Sequence, residues 1–395
     1  MFRLIFFGIP VLSLLWLVWA MRTRAMREAS RAARVALATA VLALLGGYAW
    51  IVLQRMDVLA YDPPAVLQAG VLLWGLVALP FIALPSLIVG GTAQAIGAWK
   101  RFRNRKDLSR GEKESAPVDE SRRRFLAATA VAMPAVATYG LTILSVPQMK
   151  HFRVRRIEVP VSGLAKDLDG LRIAHVSDVH VGKFTEGKVL RDLAEATNQL
   201  KADVIALTGD LIDHKLADLP EALEMVGRLE ASGGVYLVEG NHDLFEGREE
   251  FARGVGEAGL PLLINQNAAL ELRGHPVDLL GIRWARNPQA MAADIQATAA
   301  LRRSDAFGIL LAHHPHAFDE AAAMGIPLTL GGHTHGGQLM LTPEVGPGPM
   351  MYRYWSGLYR KAQGQAAVIS NGAGNWFPLR TAAPAEIIEV VLKRV

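Results

Sequence analysis

The 395-residue chain has no cysteine. Disulfides, thiolate metal sites and a cysteine nucleophile are therefore excluded, while the redox compartment stays open. A basic catalytic half is lacking too. The net charge of +5 comes from 42 Lys+Arg against 37 Asp+Glu. Residues 1–124 hold 17 of the basic and 8 of the acidic side chains, which leaves 25 and 29 for the rest. A domain that grips nucleic acid carries its positive excess on the folded surface; here the excess is confined to the first third, so no nucleic acid is expected as a partner. Internal repeats are also missing.

What is plentiful is apolar sequence. Hydrophobic residues make up 51% of the chain and mean hydropathy is +0.22. Phe2–Ala20 is apolar apart from Arg3, and Val35–Leu53 and Ala65–Ile88 carry no charge. Each approaches the roughly 20 residues that a helix needs to cross a hydrocarbon core about 30 Å thick. Residues 1–98 are accordingly expected to form three transmembrane helices, interrupted by Pro10, Pro80 and Pro85, as spanning helices tolerate.

The connecting stretches set an expected orientation. Arg22, Arg24, Arg27, Arg31 and Arg34 follow the first run, and a basic loop over residues 99–124 follows the third. Positive charge favours the cytoplasmic side. A fourth span over residues 125–147, rich in Ala, Thr and Gly, then carries the remaining chain to the periplasmic, extracytoplasmic face of the cell membrane. Just before it stands Ser121-Arg122-Arg123-Arg124-Phe125-Leu126, which resembles a twin-arginine export signal, an address read by the export machinery rather than an anchor. It departs from the usual pattern in having Ala127 where a lysine is common, and an ordinary basic flank is the alternative. Ala135-Val136-Ala137 has the form of a signal-peptidase site, which leaves cleavage of this span open.

From residue 148 short apolar runs alternate with helical periods. Strands are expected at Phe152–Val159, Leu171–Val176, Val204–Leu207, Val235–Val238, Val277–Gly281, Gly308–Ala312, Pro327–Leu330, Ala367–Ile369 and Ile387–Leu392. Helices are expected at Thr185–Leu200, with Thr185 as N-cap, and at Pro220–Glu230, Glu246–Ala258 and Pro288–Leu301. Such alternation indicates an α/β layered domain over residues 148–395, with ligands beyond the strand ends.

The strand ends carry the chemistry. Leu171–Val176 leads into Ser177-Asp178-Val179-His180, and Val204–Leu207 into Thr208-Gly209-Asp210. Val235–Val238 leads into Glu239-Gly240-Asn241-His242-Asp243, and Gly308–Ala312 into His313-His314-Pro315. The last, Gly331-Gly332-His333-Thr334-His335-Gly336-Gly337-Gln338, sets two imidazoles at i and i+2, where side chains leaving a strand point the same way. A mixed nitrogen and oxygen donor set without sulfur suits manganese, iron or zinc better than calcium.

As an ordered set, D-x-H, G-D, G-N-H-D, H-x-P and G-H-x-H resemble the calcineurin-like metallophosphoesterase superfamily over about residues 150–395, and with the amino-terminal spans its membrane-anchored phosphodiesterase branch. The resemblance implies a four-layer α/β/β/α sandwich with two divalent metal ions at the sheet ends. It assigns Asp178, His180, Asp210 and His335 to one ion, and Asp210, Asn241, His313 and His333 to the other, Asp210 bridging. His242 would then donate a proton to the leaving oxygen, with Asp243 orienting that ring. Two ions about 3.5–4 Å apart clamp the attacking and leaving oxygens of an in-line displacement at phosphorus.

The expected activity is hydrolysis of a phosphodiester or pyrophosphate. Relatives include hydrolases of UDP-2,3-diacylglucosamine in lipid A synthesis, so a lipid-linked phosphate ester is one candidate substrate, although that compound is cytoplasmic and the expected topology is not. A protein or nucleotide phosphomonoesterase and a metal-binding sensor without turnover are the alternatives. Outside the ligand set, His175 is expected to be packed, His314 to face away from the ligands, and His151, His214, His275 and His316 to lie on the surface. Arg380, not placed in the site, is a candidate contact for a phosphate oxygen, and Met350–Arg360 is either a hairpin edge or a rim for a lipid or sugar phosphate.

Overall fold

The computed structural model describes residues 2–56, 58–104 and 120–395. Most of the expected polar loop, residues 105–119, lies outside the described residues, and the twin-arginine-like stretch enters a helix that starts at Glu120. The chain forms two compact units, Met1–Val146 and Pro147–Val395.

The first unit is helical: α1 (Phe2–Arg22), α2 (Arg24–Glu28), α3 (Arg31–Arg55), α4 (Ala65–Leu73), α5 (Leu84–Asn104) and α6 (Glu120–Ser145). Thr23 and Ser30 cap α2 and α3, accepting from the amides of Met26 and Ala33. A π-helical segment, Trp74–Ala83, joins α4 to α5 and contains Pro80. Proline has no N–H and crowds the preceding turn, and the wider turns accommodate it without ending the helix. Arg31–Gln54, Ala65–Trp99 and Phe125–Lys150 are long and apolar enough to cross a membrane; among the described residues α1 contributes a shorter apolar stretch, Gly8–Arg22. Inside the bundle the rings of Trp16 and Trp74 meet edge to face at 5.5 Å. Their indole N–H groups donate to Ser86 Oγ and Ser13 Oγ, so neither buried donor is left unpaired.

The second unit contains two sheets. In chain order its strands are β1 (Phe152–Val161), β2 (Arg172–Val176), β3 (Val204–Thr208), β4 (Val235–Val238), β5 (Gln266–Leu272), β6 (His275–Gly281), β7 (Phe307–Leu311), β8 (Leu328–Gly331), β9 (Gly357–Arg360), β10 (Ala366–Ile369) and β11 (Ala385–Arg394). One sheet has the order β1-β11-β2-β3-β4 and the other β5-β6-β7-β8-β10-β9. The helices are α7 (Lys188–Gln199), α8 (Leu219–Gly227), α9 (Arg248–Glu257), α10 (Pro288–Ala299), α11 (Ala317–Ala323) and α12 (Pro347–Met351).

Alternation along the strands explains the layering. Ile173, Val204, Ala206 and Val390 of the first sheet pack in one core with Leu279, Ile309, Leu330 and Val368 of the second. The intervening residues Ala174, Ile205 and Leu207 face outward and pack with Leu190, Leu193, Met225, Phe251 and Val255 of α7, α8 and α9. On the far side, Leu280 and Leu310 pack with Ile295 of α10 and Ala317 and Ala321 of α11. The result is helices, sheet, sheet, helices.

Several features differ from the sequence reading. β5 pairs with β6 as a hairpin, yet its half-exposed, mixed residues gave no strand signal. The seven-residue α11 is too short to show a period. Thr185 is not the cap of α7; that position is Gly187, and Thr185 Oγ1 accepts from Asn375 N, 2.9 Å.

Candidate metal centre

The ends of β2, β3, β4, β7 and β8 bring together side chains from residues 178 to 335. Asp178, His180 and His335 form one set of ligand-capable atoms, and Asp210, His313 and His333 a second; His180 and Asp210 also group with His242. Nε2 of His335 lies 3.3 Å from Asp178 Oδ1, and Nε2 of His313 lies 3.0 Å from Asp210 Oδ2. Nε2 of His180 lies 3.6 Å from Asp210 Oδ2, so Asp210 stands between the sets. Asn241 is at the same strand end, where the neighbouring His242 N donates to Asp210 Oδ1, 2.8 Å.

The backbone is bent to make this convergence. Asp178, His180, Asp210, His333 and His335 all have φ between 47° and 71°, a left-handed conformation that side-chain-bearing residues seldom adopt outside functional sites. Local hydrogen bonds hold it: Asp178 N donates to Gly209 O and His180 N to Asp210 O, each 3.0 Å. His333 N donates to both Asp178 oxygens, also at 3.0 Å. Two glycines give the approach room. A Cβ on Gly209 would meet Gly240 N at 2.7 Å and His313 Nδ1 at 2.8 Å, and one on Gly332 would overlap the Ser177 hydroxyl and the Asp178 carboxylate.

Protonation follows the same geometry. Burial alone would raise the Asp210 carboxyl, but His313 and His180 outweigh it and hold its pKa well below the usual range. Burial raises that of Asp178. His313 is disfavoured as a cation by burial, yet Asp210 and Asp178 lift it to about 9. Burial, followed by neighbouring cationic groups, keeps His333 and His335 well below 6.5, the neutral state in which imidazole ligates metal.

Several residues take different parts from those expected. His242 Nδ1 donates to Asp213 O at 2.7 Å and lies 3.3 Å from Asp213 Oδ1; Asp213, not Asp243, orients this ring. Asp243 instead accepts from the amides of Leu211, Ile212 and Gly240, bracing the two loops that carry Asp210 and His242. Asp213 Oδ1 also lies 3.5 Å from His180 Nδ1. The signal available in the sequence was its i+3 spacing from Asp210 in one turn, together with the acceptor that a working imidazole requires. Burial opposes charge on His242, but the hydrogen bond to Asp213 and the charge of Asp210 outweigh it, and its pKa is raised.

Arg380 is fully buried and is not a phosphate contact. Its guanidinium donates to the carbonyls of Asn371, Gly374 and Ala383 and to Asn375 Oδ1, and Nη2 lies 3.1 Å from His335 Nδ1. His314 does not face away: its ring is 5.0 Å from that of His333 and 5.6 Å from Trp284. His214 is half exposed, but its ring stacks on Phe245 and lies 5.2 Å from His242. His175 is packed as expected, with Nε2 2.8 Å from Thr208 Oγ1. Tyr352 and Trp376 complete the mouth, 5.9 Å from the His333 ring and 5.8 Å from the His242 ring.

The donors fit a pair of divalent cations. Ring nitrogens face one another, His180 Nε2 against His335 Nε2 at 3.0 Å and His333 Nδ1 against His313 Nε2 at 3.3 Å. Asn241 Oδ1 is buried without a hydrogen-bond partner, a costly state that a cation relieves.

The family model for calcineurin-like phosphoesterases matches residues 171–337. A zebrafish (Danio rerio) protein described as a transmembrane protein with metallophosphoesterase domain is 31% identical, over 75% of this chain and 69% of its own length. An uncharacterized metallophosphoesterase of Helicobacter pylori is 31% identical, over 55% of this chain and 58% of its own. Among solved structures, a dimetal phosphatase from Danio rerio aligns at 12% identity with a TM-score of 0.34, covering 55% of this chain and 91% of that one. The chain belongs to the calcineurin-like phosphoesterase family.

Proposed function

We propose that the chain is a membrane-held, dinuclear-metal-dependent hydrolase of phosphodiester or pyrophosphate bonds, with its catalytic unit on the extracytoplasmic side of the cell membrane. The observation that carries this reading is the convergence of two ligand sets on Asp210. Asp178, His180 and His335 would hold one divalent ion, and Asn241, His313 and His333 the other, with Asp210 shared. When bound, the pair supplies Lewis acidity toward phosphoryl oxygens; the nitrogen and oxygen donors favour manganese, iron or zinc.

The protein's own contribution is positional and protonic. Asp213 fixes Nδ1 of His242 as a donor, which turns Nε2 toward the ligand sets. Its raised pKa keeps the ring charged enough to hand a proton from Nε2 to the departing oxygen, an effect of about 10²–10⁴-fold in rate for a positioned general acid. The sidedness rests on the arginines of residues 22–34 and the basic loop before α6, and Arg122–Arg124 would be read by the twin-arginine export machinery. Full-length protein in detergent with Mn²⁺ should hydrolyse bis-p-nitrophenyl phosphate, and chelation should stop it; absence of turnover with metal bound would leave a binding module instead. A periplasmic reporter fused after Val395 should be active, and a silent one would reverse the topology.

A further inference from the structure

We propose that the rim of the metal centre is a docking surface for an anionic lipid bilayer. In the unit of residues 147–395, exposed large apolar side chains gather at this one place: Phe245, Leu341, Val345, Met350, Met351 and Trp376. Elsewhere in the unit they are scattered singly, as at Val154, Leu301 and Met324, which is ordinary for a protein surface. Six of them on the turns around one site are a denser distribution than that, and point to an interaction surface.

The patch is built on the same turns as the ligands. The segment after His335 pairs with the segment after Trp376: Gln338 Nε2 donates to the carbonyls of Phe377 and Leu379, and Met340 N donates to Thr381 O. Leu341 and Val345 close a tight turn beyond that pairing, with Leu341 N donating to Val345 O at 2.8 Å. α12 then presents Met350 and Met351, which are 86% and 68% exposed although Tyr352 beside them reaches the His333 ring. Phe245 and Trp376 flank His242 from the other side, at 4.8 and 5.8 Å between ring centres.

Charge and tether select the occupant. Arg353, 68% exposed at its side chain and 3.7 Å from Asp319 Oδ1, follows α12, while Glu344 in the Leu341–Val345 turn is the opposing charge. Lys183 sits in the Gly182–Thr185 turn, whose Thr185 holds Asn375 next to Trp376. Cations beside exposed apolar side chains are the pattern of a surface that enters an anionic headgroup layer. Only residues 146–151 separate α6 from β1, a stretch that reaches at most about 25 Å fully extended. The occupant at hand is thus the bilayer itself. A phosphoester embedded in it is the substrate class this surface favours, a consequence that rests on the phosphoesterase reading above.

The cysteine-free chain makes the test direct. Full-length protein carrying Met350→Cys, labelled with a nitrobenzoxadiazole fluorophore, is reconstituted into phosphatidylethanolamine–phosphatidylglycerol vesicles, with Leu301→Cys as reference. Brominated acyl chains should quench the Met350 label about threefold more than the reference, and aqueous iodide should quench it less. Quenching by iodide as strong as at the reference would overturn the proposal, and so would shielding from both quenchers, which would indicate a protein occupant. Leu341→Asp combined with Met351→Asp should lower turnover of vesicle-embedded phosphatidyl-p-nitrophenol by about tenfold while soluble bis-p-nitrophenyl phosphate stays within about twofold. Equal effects on the two substrates would contradict the docking role. No turnover of either by the unsubstituted chain would remove the phosphoesterase reading, and the label would still decide the docking.

Discussion

Nδ1 of His242 donates to the backbone oxygen of Asp213 at 2.7 Å, and the Asp213 carboxylate Oδ1 lies 3.3 Å from the same nitrogen. The carboxylate also lies 3.5 Å from Nδ1 of His180, so one side chain supports an imidazole in a ligand set and the imidazole proposed to move the proton. Asp213→Asn keeps the backbone acceptor but removes the carboxylate charge beside both rings, and should lower kcat by about 10–100-fold and weaken metal affinity at the His180 side. Asp243→Asn should instead act on stability, read as a lower Tm, because that carboxylate accepts from the backbone amides of Leu211, Ile212 and Gly240.

His242→Asn removes the proposed proton donor while leaving both ligand sets intact. Metal content by elemental analysis should not change. Hydrolysis of diesters with poor leaving groups should slow by about 10²–10⁴-fold, and p-nitrophenyl diesters, whose leaving group needs little protonation, should slow far less. Equal slowing across the leaving-group series would remove the role assigned to His242.

Gly332→Ala puts a methyl group where the Ser177 hydroxyl and Asp178 carboxylate already lie. Asp178 would be displaced, and the protein should bind one equivalent of metal fewer with activity reduced by about 10²-fold or more. Gly227→Ala, in α8 with nothing within 4 Å of the new Cβ, is the matched control and should leave metal content and turnover unchanged.

His175 gives a pH dependence that is separate from the reaction. Burial lowers its pKa from 6.5 to about 3, so the unfolded chain takes up a proton that the folded chain refuses. Its contribution to stability is complete above pH 6.5 and falls as pH drops from there toward 3, by about 1.4 kcal/mol per unit in the limit. His175→Gln should flatten the fall in Tm between pH 6.5 and pH 4. An unchanged slope would mean that other groups govern acid unfolding.

The sequence displayed some of these relationships openly. Asp178, His180, Asp210, His313, His333 and His335 stand at the ends of apolar runs, three of them next to a glycine, and the structure gathers them because parallel strands deliver their carboxyl ends to one edge. Partners that act through space were hidden. Asp213 and Asp243 are both acidic residues close behind a ligand, and only the fold of the turn tells which one faces an imidazole. Arg380 reads as a candidate phosphate contact until the loop of residues 371–383 wraps its carbonyls around it. The left-handed backbone at five of the ligands left no trace either, since none of them is glycine.

The central claim is that two cations share Asp210 and that turnover depends on them. Elemental analysis of full-length protein purified without added metal, followed by chelation and add-back, tests it most directly. About two divalent transition-metal ions per chain are expected, with loss of phosphodiester hydrolysis on chelation and recovery with Mn²⁺, Fe²⁺ or Zn²⁺. Folded, active protein that contains no such metal and is indifferent to chelators would contradict it.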